Sequence, residues 1–231
     1  MNLKNCSNFL VLGLILCVVG VAAAGILAWF DGVTKPTIEA AKIRKTNQAL
    51  AQVLPEFDNT PSQNVCEVDG VKFYGAFKDD VLVALAAEAV SGSGYAGEVA
   101  GLVGLSPAGK VLMLKGERSA VLITRQNETP GLGTNVCNRQ QLKTLDTVFG
   151  AEKVDESILP ANVVLDSFGG LGTDDTPLRI TKDGGKVTFI TGATISSRAV
   201  TELVNKVLSS FRNNRREIVR TLTEQEIVKN D

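Results

Sequence analysis

Thr191-Gly192-Ala193-Thr194 sets two hydroxyl side chains around two small residues, and Ile195-Ser196-Ser197 follows directly. The run lies where a β-patterned stretch ends and a helix-patterned one begins. A turn of this composition can hold an exposed threonine oxygen against a helix N-terminus. Such a terminus presents N–H groups without intrahelical acceptors and a partial positive charge, which suits a phosphate. Taken alone, the run is also an ordinary strand-to-helix turn. Two glycine-rich runs precede it, Gly94-Tyr95-Ala96-Gly97 and Glu128-Thr129-Pro130-Gly131-Leu132-Gly133. The stretch Gly92 to Gly97, which contains the first, lacks the Lys-Ser/Thr ending of a phosphate loop and the spacing of a dinucleotide fingerprint, so by itself it reads as a hairpin. In the second, Pro-Gly and a further Gly mark a tight loop.

Other chemistries find little support. The chain has no histidine, which removes the commonest acid–base group and metal ligand. There is no Gly-x-Ser-x-Gly elbow, and the carboxylates form no pair that spacing can place together. Of the four cysteines, Cys6 and Cys17 lie beside or within an apolar stretch, and Cys66 and Cys137 lie in the polar part without CxxC spacing. That argues against zinc or iron–sulfur ligation. Cys66 and Cys137 either pair, if this part is exported, or remain two buried thiols. The formal net charge is −1. Arg212, Arg215 and Arg216 are offset by Glu217, Glu224 and Glu226, which reads as a solvated helix end and not as a nucleic-acid surface.

The elements that must position these runs begin with an anchor. Hydrophobic residues make up 44% of the 231 residues, and no charge interrupts Phe9 to Phe30. As a helix this stretch reaches about 33 Å, enough to span a bilayer core. Trp29 and Phe30 stand at its end, as an interfacial anchor would. A cleaved signal peptide with Ala22-Ala23-Ala24 as its cleavage region is the alternative, but the apolar run continues past it. Leu14-Ile15-Leu16-Cys17 resembles a lipoprotein box, with Leu16 too bulky before the cysteine. Lys4 precedes the span, whereas Lys35, Lys42, Arg44 and Lys45 follow it. A count of basic residues therefore puts the large domain in the cytoplasm, although long domains translocate regardless of such charges.

Pro36 suits a first helical position, and a connecting helix is expected from there to Leu54, stopped by Pro55. From Val65 the pattern turns to strands. Val71 to Phe77 and Val81 to Val90 flank the turn Lys78-Asp79-Asp80. Val99 to Leu105 and Lys110 to Leu114 flank Ser106-Pro107-Ala108-Gly109, and Ser119 to Arg125 forms another strand. Arg139 to Phe149 reads as a helix, and Val163 to Gly172 as mixed and turn-rich. Leu178 to Thr181 and Val187 to Ile190 read as strands around Lys182-Asp183-Gly184-Gly185. Val200, Leu203, Val204, Val207, Leu208 and Phe211 then define an amphipathic helix with Ser196 or Ser197 as its N-cap. Residues 212–231 are polar and are expected to project from the core. Hairpins with helices at both ends indicate an α+β fold.

The order of these parts is more specific than any of them. One N-terminal span, Gly94-Tyr95-Ala96-Gly97, Glu128-Thr129-Pro130-Gly131-Leu132-Gly133 and Thr191-Gly192-Ala193-Thr194 before a closing helix resemble the FMN-binding G subunit of Rnf-type ion-translocating electron transport complexes. The C subunit of the sodium-translocating NADH:quinone oxidoreductase, which shares the FMN domain, is a close alternative. Chain length and the Glu-Thr-Pro form of the loop favour the first.

The resemblance implies FMN joined through its phosphate to the hydroxyl of Thr194 by a separate flavin transferase. Thr191, Gly192, Ala193 and Ser196 would surround that phosphate, and Glu128, Thr129, Gly131, Leu132, Gly133 and Tyr95 would shape the ring pocket. The family carries an acid a few positions before the small-residue run. Here Thr188-Phe189-Ile190 stand there, and the nearest upstream acid is Asp183. The resemblance further implies an antiparallel, hairpin-rich FMN-binding domain and an electron carrier linking ferredoxin and NAD chemistry to ion transport. It has no catalytic residue of its own, and its partners are the membrane and iron–sulfur subunits. The FMN domain would lie on the periplasmic side of the inner membrane. The expected layout is a short segment 1–8, a transmembrane helix 9–30, a connecting helix 31–60, the FMN-binding domain 61–211 and a polar tail 212–231. An anchored binding module without cofactor is the remaining alternative.

Overall fold

The structure, a computed structural model, describes residues 3–139 and 159–230. Contacts divide the chain into two units, Met1–Lys45 and Thr46–Asp231. Helix α1 runs Leu3–Val53, without restarting at Pro36 as the sequence suggests. Helix geometry continues through the proline at the loss of one backbone hydrogen bond. Within it, Gly13–Val53 contains an 18-residue window of mean hydropathy 2.4, none of it buried, so among the described residues one helix is long and apolar enough to cross a membrane. Leu16, Val21 and Leu27 are exposed along it, and Trp29 meets Phe30 edge to face at 5.2 Å.

The second unit is built on an antiparallel sheet. Its strands are β1 (Val65–Val68), β2 (Val71–Lys78), β3 (Val81–Gly94), β4 (Gly97–Leu105) and β7 (Val121–Arg125), adjacent in that order. Between β4 and β7 in the chain, β5 (Met113–Leu114) pairs with β6 (Arg118–Ser119). Asp79 and Asp80 turn β2 into β3 with positive φ at both residues, the handedness that matches strand twist in a two-residue hairpin. β3 continues past the expected Val90 to Gly94, which faces Gly97 across a turn made by Tyr95 and Ala96. The mixed architecture of helices and antiparallel sheet agrees with the α+β expectation.

Both faces of the sheet are covered. One carries Phe73, Phe77, Leu85, Val103 and Leu105 in a core shared with Val200, Leu203, Val204, Val207, Leu208 and Phe211. Those six belong to helix α4 (Thr194–Asn230), whose apolar stripe the sequence marks at helical spacing. Phe73 and Phe211 meet at 6.1 Å between ring centres. The other face carries Tyr74, Ala76, Ala84, Ala86 and Leu102, covered by Leu50, Val53 and Leu54.

Three local expectations are corrected. Residues 212–226 do not project. α4 passes a single non-helical residue, Asn214, whose side chain donates to Asp69 Oδ2 at 2.7 Å. Beyond it Ile218 and Leu222 are fully buried. They stand 7 and 11 residues after Phe211, so the apolar stripe continues among charged neighbours that mask it in the sequence. Truncating Leu222 to Ala should therefore cost about 2–5 kcal/mol, read as a lowered melting temperature of the detergent-extracted chain. A truly projecting tail would show no change.

Second, Leu178 to Ile190 is not a hairpin. Thr181–Asp183 coils as a 3-10 turn. Gly184 N–H bonds to Thr181 O at 3.1 Å and Gly185 N–H to Ile180 O at 3.0 Å, leaving Ile180 and Val187 as one parallel bridge. Third, the partner of β4 is lost after Leu105–Val111, because Met113 and Leu114 turn away to β6 and leave β4 to pair with β7. Of the helix expected over Arg139 to Phe149, Arg139 is non-helical coil and residues 140–149 lie outside the described residues.

Candidate functional site

β4 and β7 are antiparallel, with Ala100 opposite Arg125. The exit of β7 therefore lies beside the start of β4, at the same end of the sheet as the Tyr95-Ala96 turn. The loop from Glu128 leaves β7 at that end. Leu132 N–H bonds to Thr129 O at 3.2 Å, and Gly131 has φ +76°. Pro130 and Gly131 thus occupy the second and third positions of a type II turn, which requires positive φ at the glycine. The loop braces itself through Gly131 N–H to Thr134 Oγ1 at 2.9 Å and Asn135 Nδ2 to Gly131 O at 2.7 Å. Helix α2 (Gly133–Cys137) follows.

The run before α4 repeats the device. Ala193 N–H bonds to Ile190 O at 3.0 Å, and Gly192 has φ +88°. The helix then starts at Thr194, with Ser197 N–H to Ala193 O at 3.0 Å as its first intrahelical bond. The N–H groups of Thr194, Ile195 and Ser196 have no acceptor within the helix. Neither serine caps it, contrary to expectation. Ser197 Oγ donates to Ala193 O at 3.0 Å, and Ser196 Oγ donates to Glu128 Oε2 at 2.6 Å. Ala193 is the residue before the helix, so both serines stand inside its first turn instead of at the N-cap position.

These segments enclose one cavity of about 410 Å³, lined by Tyr95, Glu128, Thr129, Leu132, Gly133, Gly192, Ala193, Thr194, Ile195 and Ser196. Nine of these are residues the sequence singles out. Thr191 and Gly131 are exposed and do not line it. Gly131 acts through the turn instead. Ile195 is the lining residue that sequence reasoning does not find; its place in the first turn of the helix is the available signal. Tyr95, Leu132 and Ile195 are half-exposed or more and give the cavity apolar walls. A larger cavity, of about 840 Å³ near Leu54 and Met113, contains none of these motifs.

Two arrangements hold the cavity in place. Asn162, before helix α3 (Val163–Asp166), accepts from Val164 and Leu165 N–H at 3.0 Å through its oxygen. Its amide donates to the carbonyls of Asn135, Val136 and Asn138. That fixes α2 and with it the loop. Arg139 is buried beside it and donates to Val121, Pro160 and Ser119 carbonyls and to Asp166 Oδ1 at 2.8 Å. One turn along α4 from Thr194, Arg198 forms a two-armed pair with Asp183, at 2.8 and 2.7 Å. That guanidinium holds the Asp183 carboxyl below its ordinary range.

Cys66 and Cys137 are buried as free thiols. Burial, and secondarily the charge of Glu128, pushes the Cys137 thiol up to about 12. Burial also raises Cys66. At neutral pH the Cys137 thiolate fraction is on the order of one in 10⁵. Iodoacetamide should therefore leave Cys137 unlabelled in the native chain and label it in urea, as peptide mapping would read. Native labelling would contradict this burial.

A turn presenting a threonine oxygen at a long helix N-terminus, beside an apolar slot, suits a ligand with a phosphate and a flat ring. Residues 94–209 match the FMN-binding domain family, which defines the class of the second unit. Similarity extends across most of the chain. It is 32% identical over 206 residues to the G subunit of the ion-translocating oxidoreductase complex of Erwinia tasmaniensis, covering 84% of this chain and 85% of that one. It is 30% identical over 203 residues to the same subunit of Cronobacter sakazakii, covering 84% and 86%. It is also 30% identical over 219 residues to the G subunit of the Na(+)-translocating ferredoxin:NAD(+) oxidoreductase complex of Acetobacterium woodii, covering 87% and 91%. The chain belongs to the family of G subunits of ion-translocating oxidoreductase complexes.

Proposed function

We propose that this chain is a membrane-anchored flavoprotein that carries electrons within an ion-translocating oxidoreductase complex, with FMN joined through its phosphate to Thr194 Oγ1. One observation carries the reading: three motifs far apart in sequence line a single cavity with Thr194 at its helix end. The residues suit the group. The free N–H groups of the first turn of α4 and the positive end of its dipole offset phosphate charge. Gly192 and Ala193 leave Thr194 open to a flavin transferase. Leu132, Ile195 and Tyr95 offer apolar surface to a ring, and Thr129 offers a hydroxyl. When bound, FMN supplies the one- and two-electron chemistry that no side chain here provides.

The partners in this reading are the membrane and iron–sulfur subunits of the complex. The anchor lies within 9–30, followed by a connecting stretch to 60 and the FMN-binding domain over 61–211. That domain faces the extracytoplasmic side. Covalent attachment has a physical rationale there, since a dissociated cofactor would be lost.

The test is to express the chain with and without a flavin transferase and record intact mass and in-gel fluorescence after denaturing electrophoresis. A mass gain of one FMN less water and a fluorescent band are expected only with the transferase. A bare polypeptide in both cases would overturn the covalent reading.

A further inference from the structure

Glu128 is 4% exposed and stands in the cavity wall. One carboxylate oxygen, Oε2, accepts from Ser196 Oγ at 2.6 Å, while Oε1 is buried without a hydrogen-bond partner among the described residues. Glycine backbone closes over both oxygens. A Cβ on Gly94 would lie 2.6 Å from Oε1, and one on Gly133 would lie 2.5 Å from Oε2. Among the described residues, no lysine or arginine lines the cavity. A buried carboxylate with half of its acceptor capacity unused costs stability. Groups of that kind concentrate at functional sites.

We propose that Glu128 is a fixed negative charge that lowers the reduction potential of the flavin bound in this cavity, with the Ser196 hydroxyl partly offsetting it. The inference rests on the FMN reading above. Each electron delivered to the cavity adds one negative charge there unless a proton from solvent accompanies it. The carboxylate opposes that charge through a wall from which water is excluded, where Coulomb interactions are little screened. The Ser196 O–H dipole points at Oε2 and weakens the opposition. Cys137 feels the same charge from the other side.

The test uses wild type, Glu128→Gln, Ser196→Ala and Ser196→Thr, each made with the flavin transferase and titrated with dithionite and mediator dyes. Dithionite supplies the electrons and the buffer any protons. Intact mass is measured first: wild type without FMN defeats the FMN reading itself. In loaded protein, Glu128→Gln keeps the shape and the Ser196 bond but removes the charge. At a fixed ambient potential its reduced-to-oxidised ratio should rise at least tenfold, about 30 mV for a two-electron couple. Ser196→Ala should shift the ratio the other way, and Ser196→Thr should restore it. General loosening of the pocket would move Glu128→Gln and Ser196→Ala in the same direction. An unchanged ratio in loaded Glu128→Gln, or shifts of the same sign, overturns the proposal and leaves the FMN reading standing. If Glu128→Gln takes up no flavin, Ser196→Ala decides alone: a lowered ratio supports the proposal and an unchanged one overturns it.

Discussion

Thr194→Ala, expressed with the flavin transferase, should lose all in-gel flavin fluorescence and the mass of the cofactor, while Thr191→Ala keeps both. The two threonines are three residues apart and chemically identical, so the difference is one of position. Thr194 is the first residue of α4 and lines the cavity, whereas Thr191 is exposed on the outer arm of the turn. A phosphate on Thr194 meets N–H groups that have no acceptor within the helix and the positive end of its dipole. On Thr191 it would meet neither. Thr194→Ser should keep some fluorescence because it keeps the oxygen. Removing the methyl and hydroxyl at this half-buried position should alter folding stability by no more than about 0.5 kcal/mol. A fluorescent Thr194→Ala band would move the attachment to another hydroxyl.

Arg139→Ala should cost about 3–5 kcal/mol, the largest stability effect of any single side chain near the site. Its side chain is 3% exposed and that of its partner Asp166 is 16% exposed. The guanidinium reaches Val121, Ser119 and Pro160 carbonyls, the Ser119 hydroxyl and Asp166 Oδ1. Removing it leaves those acceptors and the Asp166 charge without their cation. Arg118, at 3.5 Å from Asp166 Oδ2, is the only other cation paired with Asp166 among the described residues, and its geometry is poorer. Asp166 also accepts from Ser119 and Asn162 N–H, so the damage should spread to α3, β6 and the footing of α2. Urea unfolding of the detergent-extracted chain checks the magnitude. The double variant Arg139→Ala/Asp166→Asn should be less destabilised than the sum of the single changes, because the stranded charge goes too. Additive losses would mean that the pair is not coupled.

Much of this site is legible in the residues. Pro130-Gly131 and Thr191-Gly192-Ala193 announce their turns, and the structure forms both, with positive φ at Gly131 and Gly192. Val200 to Phe211 announces the helix that covers the sheet. Other segments mislead, each for a physical reason. Lys182 to Gly185 reads as a hairpin turn by composition, but the same residues satisfy a 3-10 turn equally well, and only the packing of Ile180 and Val187 chooses. Ile218 and Leu222 stand among arginines and glutamates, so their stripe is hidden until the sheet supplies its other half. Glu128 is set at the ring pocket by the resemblance alone, beside a proline turn that reads as surface. Nothing in its neighbours announces that it is buried.

The residue types alone determined where the two turns fall, the apolar stripe of α4 from Val200 to Phe211 and, among the described residues, one helix apolar enough for a membrane. These follow from φ preferences and side-chain hydrophobicity, which each short segment carries by itself. Only the tertiary structure decided that Ser196 bonds Glu128 across 68 residues, that Ile195 joins the cavity while Thr191 stays outside, and that Arg139 anchors the floor beneath the loop. Those outcomes depend on β7 pairing with β4 and on which distant backbone closes over which side chain. Burial and partnership belong to pairs of segments, so no segment read by itself contains them.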